Sequence, residues 1–133
     1  MKWSIAFLAL AAPLSSFALP PAPNVTCWLD WDLKGDNGSS IDTAFTKPVA
    51  VTPDVKGTRT LRDFSLEASL KADGAAGLAP HFYKLQIRLG HGNYEAYRSD
   101  ATKGSHRQVL TLSVGKEYAL AICDLKQAEQ DTE

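Results

Sequence analysis

Apolar and polar residues alternate strictly along several stretches of this 133-residue chain. Between Arg62 and Ala72, every second residue is apolar: Phe64, Leu66, Ala68 and Leu70. A period of two places these side chains on one face of a β-strand, whereas a helix would scatter them around its axis. Residues 25–33 and 82–89 follow the same alternation. The pattern therefore predicts three strands that each bury one face.

Shorter strands are predicted around these three. The further segments with strand character are 44–51, 94–98, 107–114 and 117–123. Gly115-Lys116 joins the last two as a hairpin, and Pro48 favours a sheet edge for the first. With about seven strands and no helical pattern after residue 18, the chain is expected to be all-β, an antiparallel β-sandwich over residues 25–124.

The chain contains two cysteines, Cys27 at the start of the first predicted strand and Cys123 at the end of the last. In an oxidising compartment such a pair is typical of one disulfide. The two positions meet if their strands are antiparallel neighbours, or if they face each other across the two sheets. A closed loop of roughly 100 residues stabilises the fold by about 4–5 kcal/mol in the chain-entropy model.

The N-terminus, residues 1–18, has the three-part pattern of a secretory signal peptide. Lys2 supplies the positive start, residues 5–14 are apolar, and small residues precede the cleavage point. The apolar run is about half the length that crosses a bilayer as a helix, so no membrane anchor is expected. We expect a secreted, extracellular protein with an extended leader at 19–24 and a charged flexible tail at 125–133.

Charge and motifs limit the function classes. The chain has 14 Lys and Arg against 15 Asp and Glu, and this near-balance gives no basis for binding nucleic acid. It contains no G-x-S-x-G, H-E-x-x-H, P-loop or dinucleotide-binding motif. We therefore expect no cofactor and no metal ion. We also expect a monomer that binds an unknown protein or glycan partner rather than an enzyme.

The first strand carries the residues predicted to bind that partner. Alternation places Trp28, Asp30 and Asp32 on its outer face. An exposed tryptophan on a strand is a frequent anchor in protein interfaces and in carbohydrate platforms. Carboxylates beside it keep the face soluble and discourage pairing with another sheet edge.

The same stretch raises the alternative of a calcium site. An EF-hand loop starting at Asp30 needs an oxygen ligand at its fifth position and Glu at its twelfth, where this chain has Lys34 and Ile41. The EF-hand is therefore excluded. A calcium site of another kind, built from the two strand carboxylates with Asp36 and Asn37, stays open.

The three histidines offer one candidate for acid–base chemistry. An up-and-down strand order places His81 and His106 at one end of the sandwich, near Asp73 or Asp100, and His91 at the other end. No spacing motif supports this constellation, and three unrelated loop histidines explain the sequence as well.

Two N-x-S/T triplets, at Asn24 and Asn37, fall where loops are expected and are candidate glycosylation sites in a eukaryotic host. Both would lie in the secreted part of the chain. They therefore predict a glycoprotein if the host is a eukaryote.

The layout of the chain resembles small secreted fungal proteins, including the ToxA-like and MAX groups of β-sandwich effectors. The resemblance is carried by residues 1–18, by Cys27 and Cys123, and by the strand pattern, although the Arg-Gly-Asp tripeptide associated with ToxA is missing. It implies a host-directed virulence effector that acts by protein or glycan binding. Two alternatives are a small secreted hydrolase, such as a ribonuclease using His81 and His106, and a cell-envelope inhibitor or carbohydrate-binding module.

Overall fold

The computed structural model describes residues 21–73, 82–102 and 106–127. Within these ranges no helix has the length and apolar character needed to cross a bilayer. The strands there are β1 (Asn24–Lys34), β2 (Ser40–Phe45), β3 (Val49–Val51), β4 (Gly57–Leu61), β5 (Phe64–Asp73), β6 (Phe82–His91), β7 (Tyr94–Ala101), β8 (His106–Val114) and β9 (Glu117–Lys126). The predicted signal peptide, His81 and residues 128–133 lie outside the described residues.

The strands form two antiparallel sheets that pack together. The five-stranded sheet has the order β2-β1-β9-β8, and β3 continues its edge beside the first residues of β1. The four-stranded sheet has the order β4-β5-β6-β7. This arrangement confirms the predicted antiparallel β-sandwich.

The strand number differs from the predicted one at the sheet edge. The segment 44–51 contributes to two strands, β2 and β3, because Pro48 lies between them and has no N–H for a ladder. β4 lies between the predicted strand segments 44–51 and 62–72, where no strand was predicted. Its first residue, Gly57, lies so close to β3 that a Cβ there would be 2.8 Å from Val51 Cγ2. The missing side chain therefore allows β3 and β4 to approach.

The core lies between the inward-facing residues of the two sheets. On β5 and β6 the opposed apolar pairs are Leu66 with Leu89, Ala68 with Ile87, and Leu70 with Leu85, all fully buried. The five-stranded sheet covers them with residues such as Leu29 and Ala121. Burying one such leucine stabilises the fold by about 1.5–3 kcal/mol, so the alternation read from the sequence is also the main source of stability.

Cys27 and Cys123 form the predicted disulfide, and both are completely buried. Of the two arrangements that would join them, the structure has the antiparallel neighbours, because β1 pairs with β9. β9 continues through Lys126, and Leu125 is buried in the core. The ordered strand therefore includes the first two residues of the segment predicted as a tail.

Three two-residue turns close the hairpins β4–β5, β6–β7 and β8–β9. The first residue of each turn has a positive φ: Arg62 (57°), Gly92 (58°) and Gly115 (62°). These turns lie at the same end of the sandwich, because His91, which ends β6, lies 3.7 Å from Glu117, which begins β9. We call this end the hairpin end.

Candidate functional site

The outer face of the five-stranded sheet carries three aromatic residues, Trp28 on β1, Phe45 on β2 and Tyr118 on β9. Cross-strand register places Asp30 opposite Phe45 and Asp32 opposite Tyr118. The structure thus brings the three residues predicted from the sequence beside two aromatic residues that the sequence analysis did not select. We call these five residues the aromatic face.

Two shallow depressions lie on the aromatic face and share Phe45 as a wall. The first has a volume of about 270 Å³ and is lined by Asp30, Trp31, Asp32, Thr43, Ala44, Phe45, Tyr118 and Leu120. The second has a volume of about 310 Å³ and is lined by Trp28, Phe45, Thr46, Lys47 and Pro48. The Phe45 side chain is 76% exposed. A large apolar ring therefore projects between two concave surfaces.

Trp28 is half-buried and is held on one side by a charged pair. The Arg107 guanidinium lies 5.3 Å from the Trp28 ring centroid, within range of a cation–π interaction. Arg107 donates two hydrogen bonds to Asp124, of 2.6 and 3.1 Å. These bonds raise the pKa of Arg107 and lower the pKa of Asp124. The rotamer of Trp28 is therefore restrained, while part of its ring lines the second depression.

The two carboxylates of the aromatic face differ in their contacts. Asp32 Oδ2 accepts hydrogen bonds from Lys34 Nζ and Ser40 Oγ, both at 2.9 Å, and these bonds lower the pKa of Asp32. In the described part of the chain, Asp30 interacts electrostatically with Arg107, but no side chain forms a hydrogen bond or a close ion pair with its carboxylate. Asp30 is therefore the carboxylate that can accept hydrogen bonds from a ligand.

The structure does not bring together the residues of the alternative calcium site. Asp36 lies in the turn after β1 and pairs with Lys116 of the β8–β9 turn. Asn37 Oδ1 accepts hydrogen bonds from the backbone and the hydroxyl of Ser39. Among the described residues, Asp36 and the two strand carboxylates do not form a group of converging ligand atoms.

The acid–base constellation suggested by the sequence rests on His81, which lies outside the described residues. His106 is exposed at the start of β8, and its Nε2 lies 3.0 Å from Gln108 Nε2. Asp100 pairs with Arg98. The contacts that His106 and Asp100 make in the structure are therefore with these neighbours.

A second group of polar residues lies at the hairpin end, where the sequence analysis selected none of them. Asp63, His91 and Glu117 each place one potential ligand atom within 4.8 Å of the other two. Each residue lies in or next to a two-residue turn, and the turns belong to three separate hairpins. Sequence spacing gives no sign of this group, since only the packing of the two sheets brings the hairpins together.

Both candidate glycosylation sites are exposed. Asn24 is the first residue of β1 rather than a loop residue, and Asn37 lies in the turn between β1 and β2. Neither belongs to the aromatic face.

Comparisons of the chain with protein-family models, with curated proteins and with solved structures found no match.

Proposed function

We propose that this chain is a secreted, non-enzymatic binding protein whose aromatic face recognises carbohydrate. The observation that carries the proposal is the grouping of Trp28, Phe45 and Tyr118 around two depressions, beside the Asp30 carboxylate. The C–H faces of sugar rings pack on aromatic rings, and their hydroxyls donate hydrogen bonds to carboxylates. The aromatic face offers both kinds of contact.

The shape of the surface favours a chain of sugars over an enclosed small molecule. Binding pockets that enclose a small molecule cover most of its surface. Here the two depressions are open and separated only by the Phe45 ring, so a ligand with two units would place one on each side. A linear oligosaccharide has that form.

The contacts of Asp32 make this carboxylate a poor general acid. A glycosidase needs a carboxylic acid whose pKa is raised, so that it can protonate the leaving group. The contacts of Asp32 with Lys34 and Ser40 lower its pKa instead. Asp32 is thus suited to fixing the strand edge and the floor of the first depression.

Secretion and a host-directed role are part of the proposal. The buried Cys27–Cys123 disulfide is compatible with an oxidising compartment, and residues 1–18 have the signal-peptide pattern. An intact mass that begins at Leu19 and is two hydrogens lighter than the reduced chain would support secretion. A mass that retains residue 1 would contradict it. The effector role rests on the layout of the chain alone, and application to host tissue tests it.

A glycan array followed by calorimetry tests the carbohydrate proposal. Phe45→Ala and Asp30→Asn should each weaken binding of the selected oligosaccharide by about tenfold or more, the effect of losing a central interface contact. Tyr97→Ala is the matched control, since Tyr97 is also an exposed aromatic residue, 52% exposed, but lies on the four-stranded sheet. Binding that Phe45→Ala leaves unchanged would refute the location. If the chain binds no glycan but binds a protein through the aromatic face, carbohydrate is the wrong ligand class.

A further inference from the structure

The hairpin end holds a group of residues with metal-binding chemistry that the proposed function does not use. Asp63 lies in the β4–β5 turn, His91 ends β6, and Glu117 begins β9. One ligand atom of each lies within 4.8 Å of the others, and this is the single group of its kind in residues 21–73, 82–102 and 106–127. One imidazole with two carboxylates is a donor set that suits Zn²⁺ and similar divalent ions.

His91 supplies the clearest sign of a missing ligand. Its Nε2 atom is buried and has no hydrogen-bond partner within the described residues. Leaving a buried polar atom without a partner costs about 1–3 kcal/mol, so such atoms are rare unless something binds them. The ring packs edge-on against Phe64, with centroids 4.5 Å apart. The nitrogen is therefore fixed, and Glu117 Oε2 lies 3.7 Å from it.

Glu117 is oriented by a hydrogen bond from the core. Trp31 Nε1 donates to Glu117 Oε1 over 3.0 Å, which leaves Oε2 directed at His91. Trp31 itself is buried under the Arg62 guanidinium, which lies 4.6 Å from its ring centroid. Metal ligands are commonly held in this way by a hydrogen bond to their second polar atom. The carboxylate is thus positioned before any ion arrives.

The distance between the His91 and Glu117 ligand atoms is close to that around a tetrahedral ion. Zn–N and Zn–O bonds of about 2.0–2.2 Å place neighbouring ligand atoms about 3.4 Å apart. The separation of 3.7 Å between His91 and Glu117 needs a shift of only a few tenths of an ångström. Asp63 is exposed, so its side chain can rotate to complete three protein ligands. Water would take the fourth position.

The charge around the group also suits a cation. Asp63 and Glu117 bring two negative charges to one point. The cations next to the group in sequence are engaged elsewhere, since Arg62 lies over Trp31 and 3.7 Å from the Asp42 carboxylate, and Lys116 pairs with Asp36. A divalent ion would neutralise the pair and give the His91 nitrogen its partner. We propose that Asp63, His91 and Glu117 form a binding site for a divalent transition-metal ion, with Zn²⁺ the ion best matched.

Calorimetry with ZnCl₂ tests the site on the full chain, free of any affinity tag and treated with EDTA. One equivalent of Zn²⁺ should bind and raise the melting temperature, because the ion binds the folded state. Co²⁺ should bind competitively and give the visible absorption of a tetrahedral site. Absence of Zn²⁺ binding by the wild-type chain would overturn the proposal and leave His91 as a core histidine beside Glu117.

Two variants locate the ion. Glu117→Gln keeps an oxygen that accepts the Trp31 hydrogen bond but removes the charged ligand. His91→Phe keeps a ring packed on Phe64 but removes the nitrogen. Each should weaken Zn²⁺ binding by about 100-fold or more, a loss at least as large as that caused by removing an outer partner of a ligand.

His106→Ala is the matched control, because His106 is exposed on β8 and outside the group, and it should bind as the wild type does. Melting in EDTA shows whether each variant folds. Should His91→Phe fail to fold, Glu117→Gln carries the test, since it leaves the Trp31 hydrogen bond in place. Zn²⁺ binding that survives Glu117→Gln, or that disappears in His106→Ala, would refute this location.

Discussion

Cys27 and Cys123 lie directly opposite each other on β1 and β9, the first and last strands of the described chain. The disulfide joins neighbours within one sheet, so it does not tie the two sheets together. Both strands are central in that sheet, with β2 and β3 beyond β1 and β8 beyond β9. Its sequence separation is 96 residues, which means that the bond closes most of the 133-residue unfolded chain into one loop.

Reduction of the disulfide should therefore destabilise the protein strongly. The chain-entropy model gives a loss of about 4–5 kcal/mol in the free energy of unfolding for a loop of this size. That is a large part of the usual total of about 5–15 kcal/mol. Guanidinium unfolding with and without reductant measures this loss of stability. The double variant Cys27→Ala/Cys123→Ala is the control and should not respond to reductant. Equal midpoints for the oxidised and reduced wild type would show that the bond adds no stability.

Arg62 occupies a backbone position that the other two hairpins fill with glycine. Its φ of 57° is close to the 58° of Gly92 and the 62° of Gly115. A side chain in this left-handed region costs about 1–2 kcal/mol. Arg62→Gly and Arg62→Ala both remove the guanidinium from Trp31, but only glycine removes the strain. We expect the glycine variant to be about 1 kcal/mol more stable than the alanine variant in urea unfolding. Equal stability would show that the turn relaxes around alanine.

Alternation along the chain predicted which face of β1, β5 and β6 is buried. This made the sandwich and the outward position of Trp28 accessible from sequence. The outward position of Tyr118 was not accessible in this way, because the predicted strand at 117–123 has apolar residues on both faces. Nor was that of Phe45, because its place beside Asp30 depends on how β2 pairs with β1. Register and sheet packing are long-range properties that local periodicity does not contain.

The grouping of residues at the hairpin end also could not be predicted from local sequence. Two of the three turns, Gly92-Asn93 and Gly115-Lys116, can be recognised locally by their glycines. Nothing local indicates that His91 and Glu117 belong together, since the contact between them crosses from one sheet to the other. The Arg62 turn is harder still, because arginine gives no signal for a positive φ.

Substitutions at adjacent positions of β6 test the alternation directly. Leu85 is fully buried opposite Leu70, whereas the next residue, Gln86, faces outward. Leu85→Ala should lower the free energy of unfolding by about 2–5 kcal/mol, because it removes buried methyl groups and leaves a cavity. Gln86→Ala should change it by no more than about 0.5 kcal/mol. Denaturant unfolding of both variants measures the contrast. Similar losses in the two variants would show that the inward and outward faces are wrongly assigned.

The Arg107–Asp124 pair beside Trp28 should make stability depend on pH in the acid range. Its hydrogen bonds lower the pKa of Asp124 in the folded state. The unfolded value is about 3.9, so the contribution is fully present above about pH 5 and is lost as the pH falls through the folded pKa. Asp124→Asn removes this contribution. The difference between the wild-type and variant midpoints in urea should be constant near neutral pH. It should shrink towards about pH 2, which is roughly two pH units below the pKa of Asp in the unfolded chain.

The matched control for this prediction is Asp54→Asn, which changes an exposed carboxylate in the segment between β3 and β4. It should leave the acid dependence of the wild type unchanged. Asp32 and Glu67 also have lowered pKa values through Lys34 and Lys56, so part of the acid sensitivity should persist in Asp124→Asn. High salt should reduce the Asp124 effect, because both partners are about half exposed and are therefore screened. If the difference in urea midpoint between the wild type and Asp124→Asn stays the same down to the lowest pH, the Asp124 side chain acts through its shape and not through its charge.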